Sequence, residues 1–252
     1  MGNFLVKILG FMATILFGDT AVFDCWLWLR KNLGKGNIKT LDAGCGSGAF
    51  VMYAAKNGNE TTGISFDDRN NKVATVQAEI LNLKNIKFVK ADLRKLDEVF
   101  KEKEIFDQII CFETIEHILN DKKLIKDLFV LLKFGGRLLL TTPYKNYINL
   151  YKDRISEVED GGHMRKGYTF EELEKLTGEF GFKIELREYI TGLISQQLIN
   201  FLRIVGEVNS ILGKICGVIF IPLRLIQFFD PLFTRLINYP FLSVAIVAKK
   251  IK

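Results

Sequence analysis

The hydrophobic pattern changes character twice along this chain. From about residue 39 to residue 145, short β-branched runs alternate with segments whose apolar positions recur at helical spacing. The runs at 40–43, 60–65, 86–90, 106–111 and 137–142 read as strands, with helices at 48–57, 69–83 and 118–132 between them. Such alternation predicts a parallel sheet with helices on both faces. Phe134-Gly135-Gly136 supplies helix-stop chemistry after the third helix. Beyond this block, Thr169-Phe170-Glu171-Glu172 is a capping box that starts a helix, closed by Gly178 and Gly181. A strand at 182–189 follows, and a last one at 242–248 ends in Lys249-Lys250.

Two stretches depart from that pattern. Residues 1 to about 35 predict two helices split near Gly18-Asp19-Thr20. The first is apolar nearly all round, and the second carries Phe23, Trp26, Leu27 and Leu29 before Arg30 and Lys31. Helices packed over the sheet and a membrane-facing cover both account for this composition. Residues 191–240 are rich in Leu, Ile and Phe, interrupted by Arg203, Glu207, Lys214, Arg224, Asp230 and Arg235. The part at 193–208 is amphipathic. The part at 211–229 is nearly apolar, but Lys214, Pro222 and Arg224 break it below the roughly 20 residues that a span requires. Pro231 starts a further short helix. Helices lying in a bilayer interface are expected here, whereas a homodimer surface or packed cap would need the same apolar face. The chain thus divides into an N-terminal helical cover (1–36), a core (37–190), an apolar helical insertion (191–240) and a final core strand (241–252).

Composition sharpens this picture. With 48% hydrophobic and 25% charged residues the chain is that of a globular protein, yet its mean hydropathy of +0.15 requires an unusually apolar segment. A net charge of +6 suits an anionic partner such as a membrane surface, nucleic acid or phosphorylated substrate. Without an aromatic-plus-basic array beyond one tyrosine loop, nucleic acid is not favoured. Cys25, Cys45, Cys111 and Cys216 form no C-x-x-C pair, which argues against a zinc ribbon or disulfide framework and for a reducing, cytoplasmic setting. The apolar residues 4–17 are broken by Lys7 and lack a following small-residue cleavage site, and Val6 does not fit the myristoylation pattern. No secretory signal or lipid anchor is expected.

The candidate chemistry centres on Lys39-Thr40-Leu41-Asp42-Ala43-Gly44-Cys45-Gly46-Ser47-Gly48-Ala49-Phe50, a strand that breaks into a glycine turn and opens a helix. The glycines let a ligand lie against the backbone, and the helix directs free N–H groups at it. Taken alone, this stretch suits S-adenosylmethionine (SAM) or, through Gly44-x-Gly46-x-x-Ala49 with Asp67 and Asp68 downstream, NAD.

Later residues decide between them. Lys90-Ala91-Asp92-Leu93, Phe106 to Phe112 leading into Glu113-Thr114-Ile115-Glu116-His117, and Gly135-Gly136-Arg137 to Pro143 follow in order, with Gly181-Phe182 closing the set. This ordered set resembles class I SAM-dependent methyltransferases over about residues 38–190 plus the last strand. The resemblance implies a Rossmann-like fold with a seven-stranded, mostly parallel sheet. It implies that Asp42, Ala43, Gly44, Cys45, Gly46 and Gly48 face the methionine part of SAM, and that Asp92 and Leu93 hold the adenine. The family usually has an acid ending the second strand to grip the ribose. Here Ser65 stands there, as in the cyclopropane-fatty-acid-synthase branch, so Ser65 and Asp67 jointly would do this, with Phe66 and Phe112 also at the cofactor.

Glu113, Glu116 and His117 are spaced to share one face of a helical turn. Glu-x-x-Glu-His resembles the ubiquinone-biosynthesis O-methyltransferases and the small-RNA 2′-O-methyltransferases, where it is implicated in metal binding. A divalent ion such as Mg²⁺ is one expectation for these residues and shaping of the pocket is another, and either this group or His163 is expected to remove the acceptor's proton. After the tyrosine loop (Tyr144, Tyr147, Tyr151), Asp160-Gly161-Gly162-His163-Met164-Arg165 offers His163 as a general base or fourth ligand. Arg165 is expected to hold a phosphate or carboxylate. The sequence therefore predicts methyl transfer to an oxygen of a lipid, quinone or lipid-linked acceptor, peripherally at the inner membrane face. A soluble small-molecule or sugar methyltransferase dimerising through the insertion, and a non-catalytic membrane-binding protein with a relict SAM fold, are the other readings.

Overall fold

The computed structural model describes residues 2–18, 20–148 and 155–252. Asp19 of the expected helix break, Tyr151 of the tyrosine loop and the side chain of Lys214 lie outside the described residues. Helices α1 (Gly2–Leu9), α2 (Met12–Leu16) and α3 (Thr20–Asn32) lead into β1 (Lys39–Ala43). Then come α4 (Ala49–Lys56), β2 (Glu60–Ser65), α5 (Asp68–Ile80), β3 (Ile86–Lys90), α6 (Leu96–Val99) and β4 (Phe106–Phe112). They are followed by α7 (Asp121–Leu131), β5 (Leu132–Pro143), α8 (Phe170–Gly178) and β6 (Phe182–Ile190). The insertion forms α9 (Leu193–Val208), α10 (Ser210–Ile219), a 3-10 segment (Ile221–Phe228) and α11 (Asp230–Leu236) before β7 (Ser243–Lys250).

The seven strands lie in the order β3-β2-β1-β4-β5-β7-β6. β1 to β5 run parallel, and β7 is antiparallel to both β5 and β6. Because side chains alternate along a strand, each strand feeds two cores. Ile109 and Cys111 of β4, with Leu138 and Leu140 of β5, pack against Leu124, Ile125 and Leu128 of α7. Ile110, Phe112 and Leu139 point the other way, onto Cys25, Trp28 and Leu29 of α3 and Ala54 of α4. Helix α3 is thus a packing helix of the sheet, while α1 leaves Phe4, Ile8 and Leu9 exposed.

Two local expectations fail for identifiable reasons. The first apolar helix is broken in two at Gly10, whose φ of +61 ends α1. Phe134-Gly135-Gly136 is no helix stop: α7 runs directly into β5, and these residues sit within the strand. There Phe106 pairs with Leu132 and Gln108 with Arg137, so the extra residues of β5 are taken up in a bulge, with Gly135 at φ +76.

The insertion is built inside out. The residues it buries are largely polar: Ser195, Gln196, Arg224, Gln227, Asp230 and Thr234. The Asp230 carboxylate accepts the Ile194 and Ser195 backbone N–H groups at 3.0 and 2.9 Å, satisfying the first turn of α9. Gln227 donates to Ser195 Oγ at 2.7 Å and to Asp24 of α3 at 3.2 Å, and Arg224 donates to the Gly18 carbonyl at 3.1 Å. Its outward face carries Ile211, Ile219, Leu225, Phe229, Leu232 and Leu236, each more than 60% exposed. No single helix among the described residues is long and apolar enough to cross a membrane; α10 and the following 3-10 segment meet at a 54° bend.

Candidate active site

The strand order reverses between β1 and β4, and the loops leaving their carboxyl ends face each other there, the position where open α/β sheets take ligands. In the loop after β1, Gly44 has φ +97 and Gly46 φ +49. A Cβ on Gly44 would collide with the Thr114 side chain of the loop after β4, so the glycine is what lets the two loops close on each other. A Cβ on Gly46 would meet nothing within 4 Å, so its backbone fronts open space. Beneath the turn, Asp42 is 1% exposed and accepts the Val51 backbone N–H at the first turn of α4. Burial pushes its carboxyl up to about 7, and Oδ2 has no partner among the described residues. Asp42 therefore braces the cradle from behind. It lines neither of the two cavities that meet at this turn.

Two cavities meet across this turn, both lined by Gly44, Gly46 and His117. The first, about 420 Å³, takes in Ser65, Phe66, Asp92, Leu93, Arg94 and Glu159. Arg94 Nε donates to both oxygens of Asp92 at 2.9 Å and Nη1 reaches Glu159 at 2.9 Å. These hydrogen bonds hold the Asp92 carboxyl below its usual range, and an ionised carboxylate keeps further lone pairs for an amino group. Of the pair expected at the ribose, Ser65 lines this cavity but Asp67 does not. The Asp67 side chain accepts the Arg69 N–H at 2.8 Å and caps α5, and the NAD reading loses its ribose acid with it. Ala43 and Gly48 lie within the surrounding backbone, Ala43 fully buried and Gly48 at φ +88 against Phe88 and Ala74.

The second cavity, about 470 Å³, collects Cys45, Phe50, Phe112, Glu113, Glu116, His117, Tyr147 and His163. Burial pushes the Cys45 thiol up, so it stays protonated and apolar. Glu113 does not share a helical face with Glu116 and His117: it has φ +45 and precedes a 3-10 turn of only Ile115–His117. The set whose donor atoms lie within 4.8 Å of one another is Glu116, His117 and His163. The two imidazoles are edge to face, centroids 4.7 Å apart. His117 Nδ1 donates to the Gly162 carbonyl at 3.1 Å, and its Nε2 lies 3.8 Å from Glu116 Oε1. Glu116 is 1% exposed and accepts from Thr142 Oγ1 at 3.2 Å. Burial, with the Glu113 charge beside it, raises its pKa well above the carboxylate range. Burial, then the charges of His117 and Arg203, lowers His163 to about 4, so it is uncharged at neutral pH.

Arg165 lines neither cavity. It is bound to Asp121 and to the Tyr168 hydroxyl, and its Nη2 donates to the Ile118 and Leu119 carbonyls at 2.9 and 2.8 Å. It pins the His163 loop to the start of α7 and is no anion receptor. Arg203 of α9 does line the second cavity, with Ile199. In sequence Arg203 is only an interruption in an amphipathic helix, and nothing local marks it as facing His163.

Residues 34–187 match the family described as a methyltransferase domain. The chain is similar to a ubiquinone biosynthesis O-methyltransferase of Coxiella burnetii, 35% identical over 120 residues, covering 48% of this chain and 50% of that one. A relative of the same description from Psychrobacter arcticus is 28% identical, with 64% of each chain covered. The chain spans about half to two thirds of the length of these curated relatives. Among solved structures, a putative methyltransferase from Bacillus halodurans superposes with a TM-score of 0.63 at 18% identity, covering 91% of this chain and all of that one. A phosphoethanolamine N-methyltransferase of Haemonchus contortus, solved with SAM, gives 0.62 at 20% identity, covering all of this chain and 60% of its own. The glycine cradle, with Asp92 on one side and the imidazole pair on the other, fits a SAM site on these grounds, and the chain belongs to the methyltransferase-domain family as a class I SAM-dependent methyltransferase.

Proposed function

We propose that this enzyme methylates an oxygen of a lipid-type acceptor at a membrane surface. The observation that carries the reading is that the inside-out insertion is also a wall of the acceptor cavity, through Ile199 and Arg203. An apolar face of that size on a monomer marks a protein or membrane contact. The names of the O-methyltransferase relatives and the imidazole chemistry both favour oxygen over nitrogen or carbon.

Gly44 and Gly46, with Asp92 and Leu93 at the adenine end, would hold SAM, which would supply an electrophilic methyl group. The protein's part is mostly positioning of the acceptor hydroxyl against it. His163, uncharged at neutral pH, takes the hydroxyl proton, and the His117 ring lies edge to face against it. The Gly162 carbonyl holds the His117 ring, and Thr142 holds Glu116 beside it. Glu116, His117 and His163 would also hold a divalent cation. Two imidazoles and one buried carboxyl suit a borderline ion such as Zn²⁺ better than the oxygen-seeking Mg²⁺ expected from sequence.

The test is to incubate the full-length enzyme with methyl-labelled SAM and either total membrane lipids or the aqueous extract of the same cells. Label in the organic phase supports the reading. Label only in water-soluble products would replace it with the soluble-metabolite reading, and none at all, with SAM binding intact, with the relict fold. Repeating the assay with chelator and with added Zn²⁺ or Mg²⁺ decides the metal.

A further inference from the structure

Beside the acceptor cavity lies a second apolar one of about 520 Å³, between the N-terminal helices and the insertion. Leu5, Leu16, Phe17, Leu202 and Val218 line it, with Gly206, Gly213 and Gly217 along the α9–α10 hairpin. The glycines have separate roles there. A Cβ on Gly213 would run into Gly206 at 2.7 Å, so these two let the helices close together. A Cβ on Gly217 would meet nothing within 4 Å. Gly18, Ile199 and Arg203 line both this cavity and the acceptor cavity, so the two adjoin at these residues.

Arg203 stands at the junction. Arg94, Arg165 and Arg187 are each paired with a carboxylate, whereas Arg203 has no carboxylate partner among the described residues. A guanidinium at the mouth of an apolar cavity, next to two imidazoles, is suited to one end of an anionic amphiphile.

Resting on the function proposed above, we infer that this cavity receives the hydrocarbon chain of the acceptor itself. Arg203 holds an anionic group of that same molecule close to the hydroxyl to be methylated. The chain enters from the exposed apolar face, and the head group stops where the wall turns polar. Chain length and head-group charge are then both read by the insertion, and the core supplies only the methyl-transfer site.

The experiment titrates the full-length protein, saturated with S-adenosylhomocysteine, with dodecyl phosphate, octyl phosphate and neutral dodecyl maltoside below their micelle concentrations. Dodecyl phosphate should bind most tightly, and each methylene removed should weaken binding by up to about fourfold. Arg203→Gln should weaken dodecyl phosphate by about tenfold and leave the maltoside unchanged. Gly217→Leu should weaken both, as should Val218→Trp, which fills the same cavity if the first variant folds poorly. Equal binding of octyl and dodecyl phosphate, or indifference to Arg203→Gln and to both plugs, would overturn the inference. Amphiphile binding in a wild-type chain that does not bind S-adenosylhomocysteine would instead overturn the methyltransferase reading and leave the cavity assignment standing.

Discussion

His163 meets His117 edge to face at 4.7 Å, although one sits on a late loop and the other ends the turn after β4. The contact is organised from behind by the Gly162 carbonyl on His117 Nδ1 and by the Met164 N–H on the Glu116 carbonyl at 2.8 Å. Replacing His163 with Asn should therefore lower kcat by about 10² to 10⁴ while leaving S-adenosylhomocysteine affinity unchanged. Equal loss of kcat and cofactor affinity would make His163 a scaffold and not the proton acceptor.

Gly46→Ala tests the cradle with the least collateral damage. The position is left-handed, so alanine costs about 1 kcal/mol of stability, and its methyl projects into the space a ligand would fill. Calorimetry should show S-adenosylhomocysteine binding weakened by about tenfold or more, with the chain still folded. Unchanged affinity would place the cofactor elsewhere.

Arg165→Met should act through stability. It strands the Ile118 and Leu119 carbonyls and leaves Asp121 to the Tyr168 hydroxyl without its cation, and should cost about 2 kcal/mol, seen as a lower Tm. Its effect on turnover should come with a floppier His163 loop and no change in cofactor affinity. A specific loss of acceptor binding, at unaltered Tm, would return Arg165 to the role of anion receptor.

Asp24 and Asp42 set a pH dependence. Burial raises both from 3.8 in the unfolded chain to about 7, with Asp230 adding to the effect at Asp24. The unfolded chain ionises first as pH rises, so their contribution is fully present below about pH 4 and is lost progressively up to about pH 7. Each costs about 1 kcal/mol per pH unit at the steepest. Tm should be higher at about pH 5 than at about pH 8 as far as these groups dominate, and Asp24→Asn should flatten the profile. A Tm that rises with pH over that range and ignores Asp24→Asn would refute this assignment.

Phe229 and Leu236 are 69% and 75% exposed on the outward face of the insertion. The double variant Phe229→Glu, Leu236→Glu should abolish flotation of the full-length chain with anionic vesicles and leave Tm within about 0.5 kcal/mol equivalent. If the wild type does not float but forms a dimer that these substitutions dissociate, the face is an interface between two copies.

The sheet and the glycine turn were legible because their signals are local. Alternation of runs fixes strand and helix identity, and Gly44 and Gly46 declare a backbone that no other residue adopts cheaply. The misreadings are those where a side chain had two uses. Asp67 reads equally as a ribose ligand or a helix cap, and Arg165 as an anion receptor or a loop tie. Glu113 fell off the expected face because its positive φ breaks the helical spacing assumed for it. Arg203 had no local signal at all, because its role depends on where α9 lies against a loop some forty residues earlier. The inside-out insertion was half visible: its apolar character is compositional, but which face it turns inward is tertiary.

β7, the strand that follows the insertion, is an interior strand, hydrogen-bonded on one edge to β5 and on the other to β6. The sheet cannot close until the whole insertion has left the ribosome. During that interval β5 and β6 each wait with an unpaired edge, while the most apolar helices of the chain are already free to settle. The insertion is thus complete before the sheet is, and pairing of β7 with β5 and β6 is the step that closes the core behind it.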